Sequence, residues 1–338
     1  MKIDIALEPV FSADELAELG KLAEINGIHS IWVTNDPQAR DLFMLYSRLA
    51  AVTNRIRLGV MAVSPMEVHP IKLSASLQTL NEMSGGRAAI VVGAGGAILA
   101  NTRIDLSRRV RAVRECVEIL QEAGADKPLN YDGELYPVWN YRMPWAVDPR
   151  PDILVGANVD QMLRMSARRA DGIHMSDMPL PLVPGALKKA GGALDKHGRS
   201  TDGFEFNNFW AFHVKRDRAA AEFEARSRLV LRGMLKELYI DPFLDPAEVK
   251  LVRDKMPSFY RAFNEMTDEI DDVPEAIVET LIENLTLTAS EAELDDRLKV
   301  LEEFADAGLT HITLGLHDDP ADTIRLIGER VIPHFNAY

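Results

Sequence analysis

Between Ile56 and Gly96 the chain reads IRLGVMAVSPMEVHPIKLSASLQTLNEMSGGRAAIVVGAGG, and this stretch restricts the fold more than any other. Ile56–Val63 and Arg87–Ala94 are short aliphatic runs without polar alternation, the pattern of strands covered on both faces of a parallel sheet. Between them Ile71, Ala75, Leu77, Leu80 and Met83 fall at roughly helical spacing. Ser84-Gly85-Gly86 closes that helix, because glycine takes the positive φ of a C-terminal cap. Both strands run out into small residues, Ser64-Pro65 and Gly93-Ala94-Gly95-Gly96. Carboxyl ends of parallel strands are where α/β folds place their sites. Bare backbone there lets a flat or anionic ligand come close.

The same alternation runs through the chain. Ile3–Glu8 reads as a strand, and Ser12 caps a helix over Asp14–Asn26, with Glu15 completing a Ser-x-x-Glu capping box. Gly27 stops that helix; His29–Thr34 is the second strand and Leu42–Val52 the second helix. After Gly96, Leu106–Glu122 is an amphipathic helix whose outer face carries Arg108, Arg109, Arg111 and Arg114. Asp152–Ala157, Gly172–Ser176, Glu205–Val214 and His311–Leu316 supply the remaining strands. Helical patterns follow at Val159–Ala170, Leu182–His197, Glu291–Ala307 and Ala321–Ile332. Eight strand–helix units predict an α/β fold, a TIM (β/α)8 barrel forming one domain over residues 1–338. Two insertions break the rhythm. Asp132-Gly133, between Tyr131, Tyr136, Val138 and Trp139, predicts a hairpin within Leu129–Arg142, before strand five. An acidic helical insertion after strand seven, at about 219–290, is divided by Pro242, Pro246 and Pro257.

Composition removes several classes of function. A net charge of −14 argues against nucleic acid as a general partner, since phosphate neutralisation needs a basic surface. No apolar run approaches the length of a membrane span, and MKIDIALEPV is too short and too charged for a signal peptide. A soluble cytoplasmic protein is expected. Cys116 has no second cysteine to pair with, and its neighbours Val113, Val117 and Leu120 put it in a packed helix face. His311 and His317 flank the last strand without metal-ligand spacing to another His or Cys, so no metal is expected. No Gly-x-Ser-x-Gly occurs, and Gly93–Gly96 lacks the second half of a dinucleotide fingerprint.

Several residues stand where a barrel mouth would be. Gly156-Ala157-Asn158 ends strand five and opens the helix at Val159, an arrangement suited to an anion at a positive helix end. Arg164 lies one to two turns further on. Ser176 ends strand six and is the better ligand there, whereas His174 reads as a satisfied core histidine. Trp210 and His213 read as packing. Phe243, Tyr260 and Phe263 are aromatic candidates for a roof built from the insertion. Met61, Met143, Met162, Met165, Met175 and Met178 read as core filling, with packing against a ring as the alternative.

WVTND at Trp32–Asp36, TLNEMSGGRAAIVVGAGG, the hairpin YDGELY, ILVGAN and ADAGLTHITLG together resemble the bacterial luciferase-like superfamily. Within it they are most similar to the branch using the deazaflavin coenzyme F420, of which methylenetetrahydromethanopterin reductase is the familiar member. The resemblance implies a barrel whose strand ends cradle a flavin or deazaflavin. It implies a bulge closing strand three, often with a non-proline cis peptide; the matching residues are Gly59-Val60-Met61-Ala62, and the cis bond is expected near Met61-Ala62. The cofactor contacts so implied are Asn35, Val60, Met61, Ala62, Gly93, Ala94, Gly95, Gly156, Ala157, Asn158 and Ser176.

The chain also departs from that branch. Members commonly carry Asp-His after strand two, where this chain has Asn35-Asp36. They tend to carry a glutamate near the end of strand one; Ala6 stands at that place, with Glu8 two residues on and on the same face. Glu8 and Asp36 are therefore the ionisable groups expected beside the ring. The alternatives are a solvated acid or salt-bridge partner at Glu8 and an Asx-turn entering Pro37 at Asp36. The implied activity is hydride transfer between F420 and a small organic substrate, with a pterin or folate-like methylene carrier as one candidate. Pterins, alcohols, sugar phosphates and nitroaromatics are all substrates on this fold. An FMN-dependent monooxygenase and a redox-inactive ligand-binding barrel are the alternatives. The resemblance also implies a homodimer through the helices after strands two and three.

Overall fold

Aliphatic residues at alternate positions of each strand are what hold the barrel helices in place. Ile3, Ile5, Ile31, Leu58, Val60, Ile90, Ile153, Ile173, Phe212, Ile312 and Leu314 face outward and are at most 2% exposed. Burying each such side chain is worth about 1.5–3 kcal/mol. The computed structural model describes residues 1–36, 38–95, 99 and 103–336. Its main-sheet strands are β1 (Lys2–Leu7), β2 (Ser30–Thr34), β3 (Arg57–Val63), β4 (Ala88–Val92), β7 (Asp152–Gly156), β8 (Gly172–Ser176), β9 (Glu205–Lys215), β10 (Thr286–Ser290) and β11 (His311–Gly315). The small hairpin is β5 (Leu129–Tyr131) with β6 (Val138–Tyr141). Parallel pairing runs β1-β2-β3-β4-β7-β8-β9-β11 and returns to β1, which closes the expected eight-stranded barrel.

One strand was not expected. Thr286–Ser290 falls between the helical insertion and the helix Leu294–Asp306, and forms β10. It exists because β9 is 11 residues long and outruns its neighbour. β8 pairs with β9 only as far as Phe209, and β10 then takes over that edge from Ala211 to Lys215. The upper part of β9 thus rises above the rim with its backbone groups still paired.

Hairpin and insertion are both present, with differences in detail. The β5–β6 connection spans residues 132–137 and is longer than the two-residue Asp-Gly turn that the sequence suggested. Its backbone is held by a carboxylate: buried Glu115 accepts the N–H groups of Glu134, Leu135 and Tyr136 at 3.2, 2.9 and 3.0 Å. The insertion begins with the helix Arg218–Ser227 and continues through Glu237–Ile240, Pro246–Asp254, Met256–Glu265 and Glu275–Leu285. Pro246 and Pro257 sit in first turns, where a missing N–H costs nothing. Leu229, Ile240, Val252, Phe259, Leu281 and Leu285 give this part a hydrophobic core of its own.

Inside the barrel the side chains are polar at the amino-terminal end. Arg57 of β3 reaches across the lumen to Glu205 of β9, with Nη1 and Nη2 donating at 2.7 and 3.0 Å. Asp152 and Asp4 lie 3.1 and 3.6 Å from the same guanidinium. Asp4 is fully buried and also accepts from Trp32 Nε1 at 3.2 Å and Asn207 Nδ2 at 3.1 Å. Above this plug Trp32 lies over Gly59, whose added Cβ would come within 2.1 Å of the indole. His174 sits beside Trp32 and reaches Thr313 Oγ1 at 3.1 Å. Burial lowers its pKa to about 4, so it is the neutral core histidine that the sequence suggested. With the floor filled, any ligand is confined to the carboxyl end.

Candidate active site at the barrel mouth

The period of two that puts Asp4, Trp32 and Asn207 in the lumen brings Glu8, Thr34, Met61, Gly93, Gly156, Ser176 and Gly315 to the carboxyl rim. At β3 the rim is irregular. Pairing with β4 shifts between Val60 and Val63, and the Met61–Ala62 peptide is cis, where the family resemblance placed it. Val60 and Met61 are buried while Ala62 is exposed. Asn35 holds this bulge from β2: its N–H donates to the Met61 carbonyl at 2.5 Å and its Nδ2 to the Ala62 carbonyl at 3.3 Å. The same Nδ2 donates to both carboxylate oxygens of Glu67, at 3.0 and 2.9 Å. Asn35 is thus a fastener of the shelf more than an outstretched ligand. A Cβ on Gly93 would lie 2.9 Å from the Ala62 Cβ, so the two strand ends meet only because this position is bare. Ala94 is half-buried and Gly95, at φ 74°, is exposed beside them; Gly96 lies outside the described residues.

The end of β7 differs from expectation. The helix begins at Asp160, is 7 residues long, and has Asp160 in its first turn. That carboxylate already occupies the positive end and is itself paired with Lys189 at 2.5 Å. Ala157 N–H donates to the His174 carbonyl at 3.3 Å. Asn158 spends its amide on structure: Nδ2 donates to the Ser176 carbonyl and the Tyr239 hydroxyl, both at 2.6 Å, and Oδ1 accepts the Ser176 N–H at 3.0 Å. Gly156 is different, because a Cβ there would meet nothing closer than Val91 Cγ1 at 3.6 Å. Positive charge instead collects beside this rim segment, in a cleft of about 610 Å³ lined by Arg108, Arg109, Arg111, Arg114, Arg164 and Arg168. Glu134 and Glu118 neutralise part of it.

The two candidate acids have different surroundings. Asp36 is exposed, and its Oδ1 accepts the Gln38 N–H at 2.9 Å, as in an Asx-turn; Pro37 lies outside the described residues. Glu8 is at the rim with a 35% exposed side chain, and accepts from His317 Nδ1 at 3.1 Å. Burial pushes its pKa up, but the His317 hydrogen bond and the nearby Arg228 charge outweigh this and hold it below the usual carboxylate range.

Four side chains around Glu8 were not recognised in the sequence as site residues. His317 continues the inward face of β11, and its ring stacks on His213 at 5.4 Å. His213 was read as packing; it is fully buried, yet it faces inward on the raised part of β9. Its Nδ1 donates to Glu224 at 2.7 Å. Burial lowers the His213 pKa to about 4, whereas hydrogen bonds from His213 and Lys215 overcome burial and bring Glu224 to about 2. A neutral imidazole therefore donates to a carboxylate. Arg232, 2% exposed, pairs with Asp177 at 2.8 Å and lies over Phe209, its Cζ 5.4 Å from the ring centroid. Arg228 pairs with Asp318 at 3.0 Å. Phe209 in turn covers Gly315, where a Cβ would fall 2.4 Å from its Cζ. Extending strand seven to Lys215 and counting by two would have exposed His213 as an inward residue.

These contacts correct the expected roof. Arg228, Arg232, Gly233 and Tyr239 are what tie the insertion to the rim. Phe243 and Phe263 pack on the insertion's own core, and Tyr260 is 41% exposed. Ser176 is exposed and donates its hydroxyl to Asp177 at 3.0 Å.

Known proteins share this architecture. The reductase of 5,10-methylenetetrahydromethanopterin from Archaeoglobus fulgidus is 26% identical over 338 residues, covering 98% of this chain and 99% of that protein. The structure of the coenzyme F420-dependent tetrahydromethanopterin reductase from Methanopyrus kandleri superposes with a TM-score of 0.81 at 21% identity, covering 99% and 100% of the two chains. Monooxygenase RslO1 from Streptomyces bottropensis superposes with a TM-score of 0.71 at 20% identity, covering 99% of this chain and 100% of that one. At such identities these superpositions speak for the fold alone. The luciferase-like monooxygenase family model matches residues 4–310, and the chain belongs to that family.

Proposed function

We propose that this protein is an oxidoreductase that moves a hydride between the deazaflavin F420 and a small organic substrate at the barrel mouth. The observation carrying the reading is the shelf at the end of β3, where the Met61 and Ala62 carbonyls are held by Asn35 and the Ala62 Cβ closes on bare Gly93. A flat ring fits against Met61 and Ala62 on one side and the backbone of Gly93, Ala94 and Gly95 on the other; Val60, expected as a contact, faces the barrel helices and backs the shelf from outside. Gly156 leaves further room, and Ala157, Asn158 and Ser176 edge the same rim. The arginine cleft beside it suits an anionic tail. The bound cofactor supplies the hydride chemistry; the chain supplies binding, orientation and handling of the proton.

Full-length similarity to a methylenetetrahydromethanopterin reductase favours F420 over FMN and a pterin-like methylene carrier as substrate. Glu8 and Asp36 are the acids this reading puts near the ring, with Glu8 better placed because it is partly buried and hydrogen-bonded at the rim. A homodimer through the helices Leu42–Val52 and Pro70–Ser84 belongs to the same reading, supported by exposed Met44 and Met83.

Fluorescence titration with F420 and with FMN tests the assignment. Preferential binding of F420, followed by its oxidation or reduction with methylenetetrahydromethanopterin, a secondary alcohol or a sugar phosphate, is the expected result. Preference for FMN supports the oxygenase reading. Binding of neither removes the redox assignment.

A further inference from the structure

The second strand ends in Asn35-Asp36, and neither residue is free to handle a proton inside the mouth. Asn35 is committed to the β3 shelf, and Asp36 is exposed and capped on its own turn. The structure offers another group. His317 has a side chain only 5% exposed, its Nδ1 is fixed on the Glu8 carboxylate at 3.1 Å, and its Nε2 is buried without a hydrogen-bond partner among the described residues. A buried imidazole nitrogen is ordinarily satisfied. Nε2 of His213, His311 and His317 all lack a partner, but only His317 has its opposite nitrogen anchored on a rim acid, which suits it to exchange a proton with something that enters the mouth once a small movement uncovers it.

We propose that His317 is the catalytic acid–base of this site and that Glu8 is its positioning residue. The carboxylate fixes the ring's orientation and places a proton on Nδ1, so Nε2 is the nitrogen facing substrate. This rests on the hydride-transfer reading above. In the reducing direction a bound, reduced deazaflavin would supply the hydride, and with it the two electrons, to the substrate carbon. A substrate heteroatom gains the Nε2 proton: the N–H bond of the imidazolium breaks, the heteroatom–H bond forms, and a neutral ring remains on Glu8. Solvent returns the proton. In the oxidising direction each transfer reverses.

The charged and titratable groups around the ring come from every element packed on it. Glu8 lies at the end of β1, His213 is stacked from β9, and Asp177 lies at the end of β8 with Arg232 from the insertion as its partner. Arg228 and Glu224 of the insertion act on Glu8 from the same side, and Asp318 adjoins His317 in sequence and pairs with Arg228. His213 stays neutral beside the ring because its burial outweighs the pull of the Glu224 carboxylate that its Nδ1 donates to.

The test uses the full chain and the variants Glu8→Gln and His317→Gln. Long-range 1H–15N spectra of the cofactor-free protein, with the His317 signals assigned by their loss in His317→Gln, report the tautomer directly. Losing the carboxylate in Glu8→Gln is expected to weaken the preference of the neutral His317 ring for a proton on Nδ1, seen as a change in its two 15N shifts. His317→Gln is expected to bind F420 within about threefold of the wild type, to lose about 10²–10³-fold in turnover, and to lose one limb of the kcat/KM pH profile. An unchanged His317 tautomer in Glu8→Gln, or unchanged turnover and pH profile in His317→Gln, overturns the proposal. Failure of the wild type to bind F420 is a separate outcome and overturns the hydride-transfer reading itself.

Discussion

Replacing Arg57 by methionine removes the cation that closes the barrel floor while keeping an unbranched chain over Trp32. The guanidinium is 12% exposed and holds Glu205 through two hydrogen bonds, with Asp152 and Asp4 within 4 Å and Ser30 Oγ at 2.9 Å. Asp4 keeps His29, Trp32 and Asn207 as donors, but Glu205, at 8% exposure, is left with Asn207 and His311. Removing one partner of a buried ion pair costs about 3–5 kcal/mol. At about 2.1 cal/mol/K per residue over 338 residues, 4 kcal/mol corresponds to a fall of about 6 °C in Tm. The loss carries a pH signature. Burial opposes charge on Asp4 and Glu205, but hydrogen bonds and nearby cations, Arg57 foremost for Glu205, hold both below the usual carboxylate range. Their contribution to stability is therefore present above an ordinary carboxylate pKa and lost as pH falls through the depressed folded values. In the variant Glu205 titrates higher, so the deficit against wild type is largest near neutrality and narrows towards pH 4. Thermal unfolding measures the first and urea unfolding at several pH values the second. A Tm shift below 1 °C, or a deficit that widens on acidification, refutes the reasoning.

Three further perturbations test other levels of the structure. Gly93→Val forces the Met61–Ala62 shelf away from β4; F420 affinity falls at least about tenfold while folding loses only about 1–3 kcal/mol, read by fluorescence titration and urea unfolding. Arg232→Met leaves Asp177 buried without its cation, destabilises by about 3–5 kcal/mol, and speeds proteolysis between residues 228 and 244, seen by mass mapping of limited digests. Glu115→Gln replaces an acceptor of three backbone N–H groups with a group that is half donor. The cost is about 1–3 kcal/mol, and hydrogen exchange over residues 132–137 quickens accordingly.

The barrel was legible because its signals are local. Buried parallel strands need unbroken aliphatic runs such as Ile56–Val63, and helices announce themselves by the Ser12–Glu15 box or the Gly85 cap, which the structure reproduces. The hairpin and the divided insertion were legible for the same reason, through Asp-Gly and proline. The bulge at Met61–Ala62 came from family resemblance, since nothing in GVMAV by itself calls for a cis bond. β10 escaped because Thr286–Ser290 follows a helix directly and pairs only with the overhang of β9, whose length is a fact about both neighbours.

Side-chain partners were the part that sequence withheld. Whether Asn158 offers its amide to a ligand or to Ser176 and Tyr239 depends on a residue 81 positions away. Glu8 and His317 are separated by 309 positions and meet only because β1 and β11 close the barrel. The chain by itself determined the wheel of strands, its bare glycine rim and the family to which it belongs, because periodicity and turn chemistry act over a few residues. Tertiary structure alone decided which polar groups are consumed in holding the rim together and which, like Nε2 of His317, are left without a partner, because hydrogen bonds are allotted among neighbours that only folding brings together.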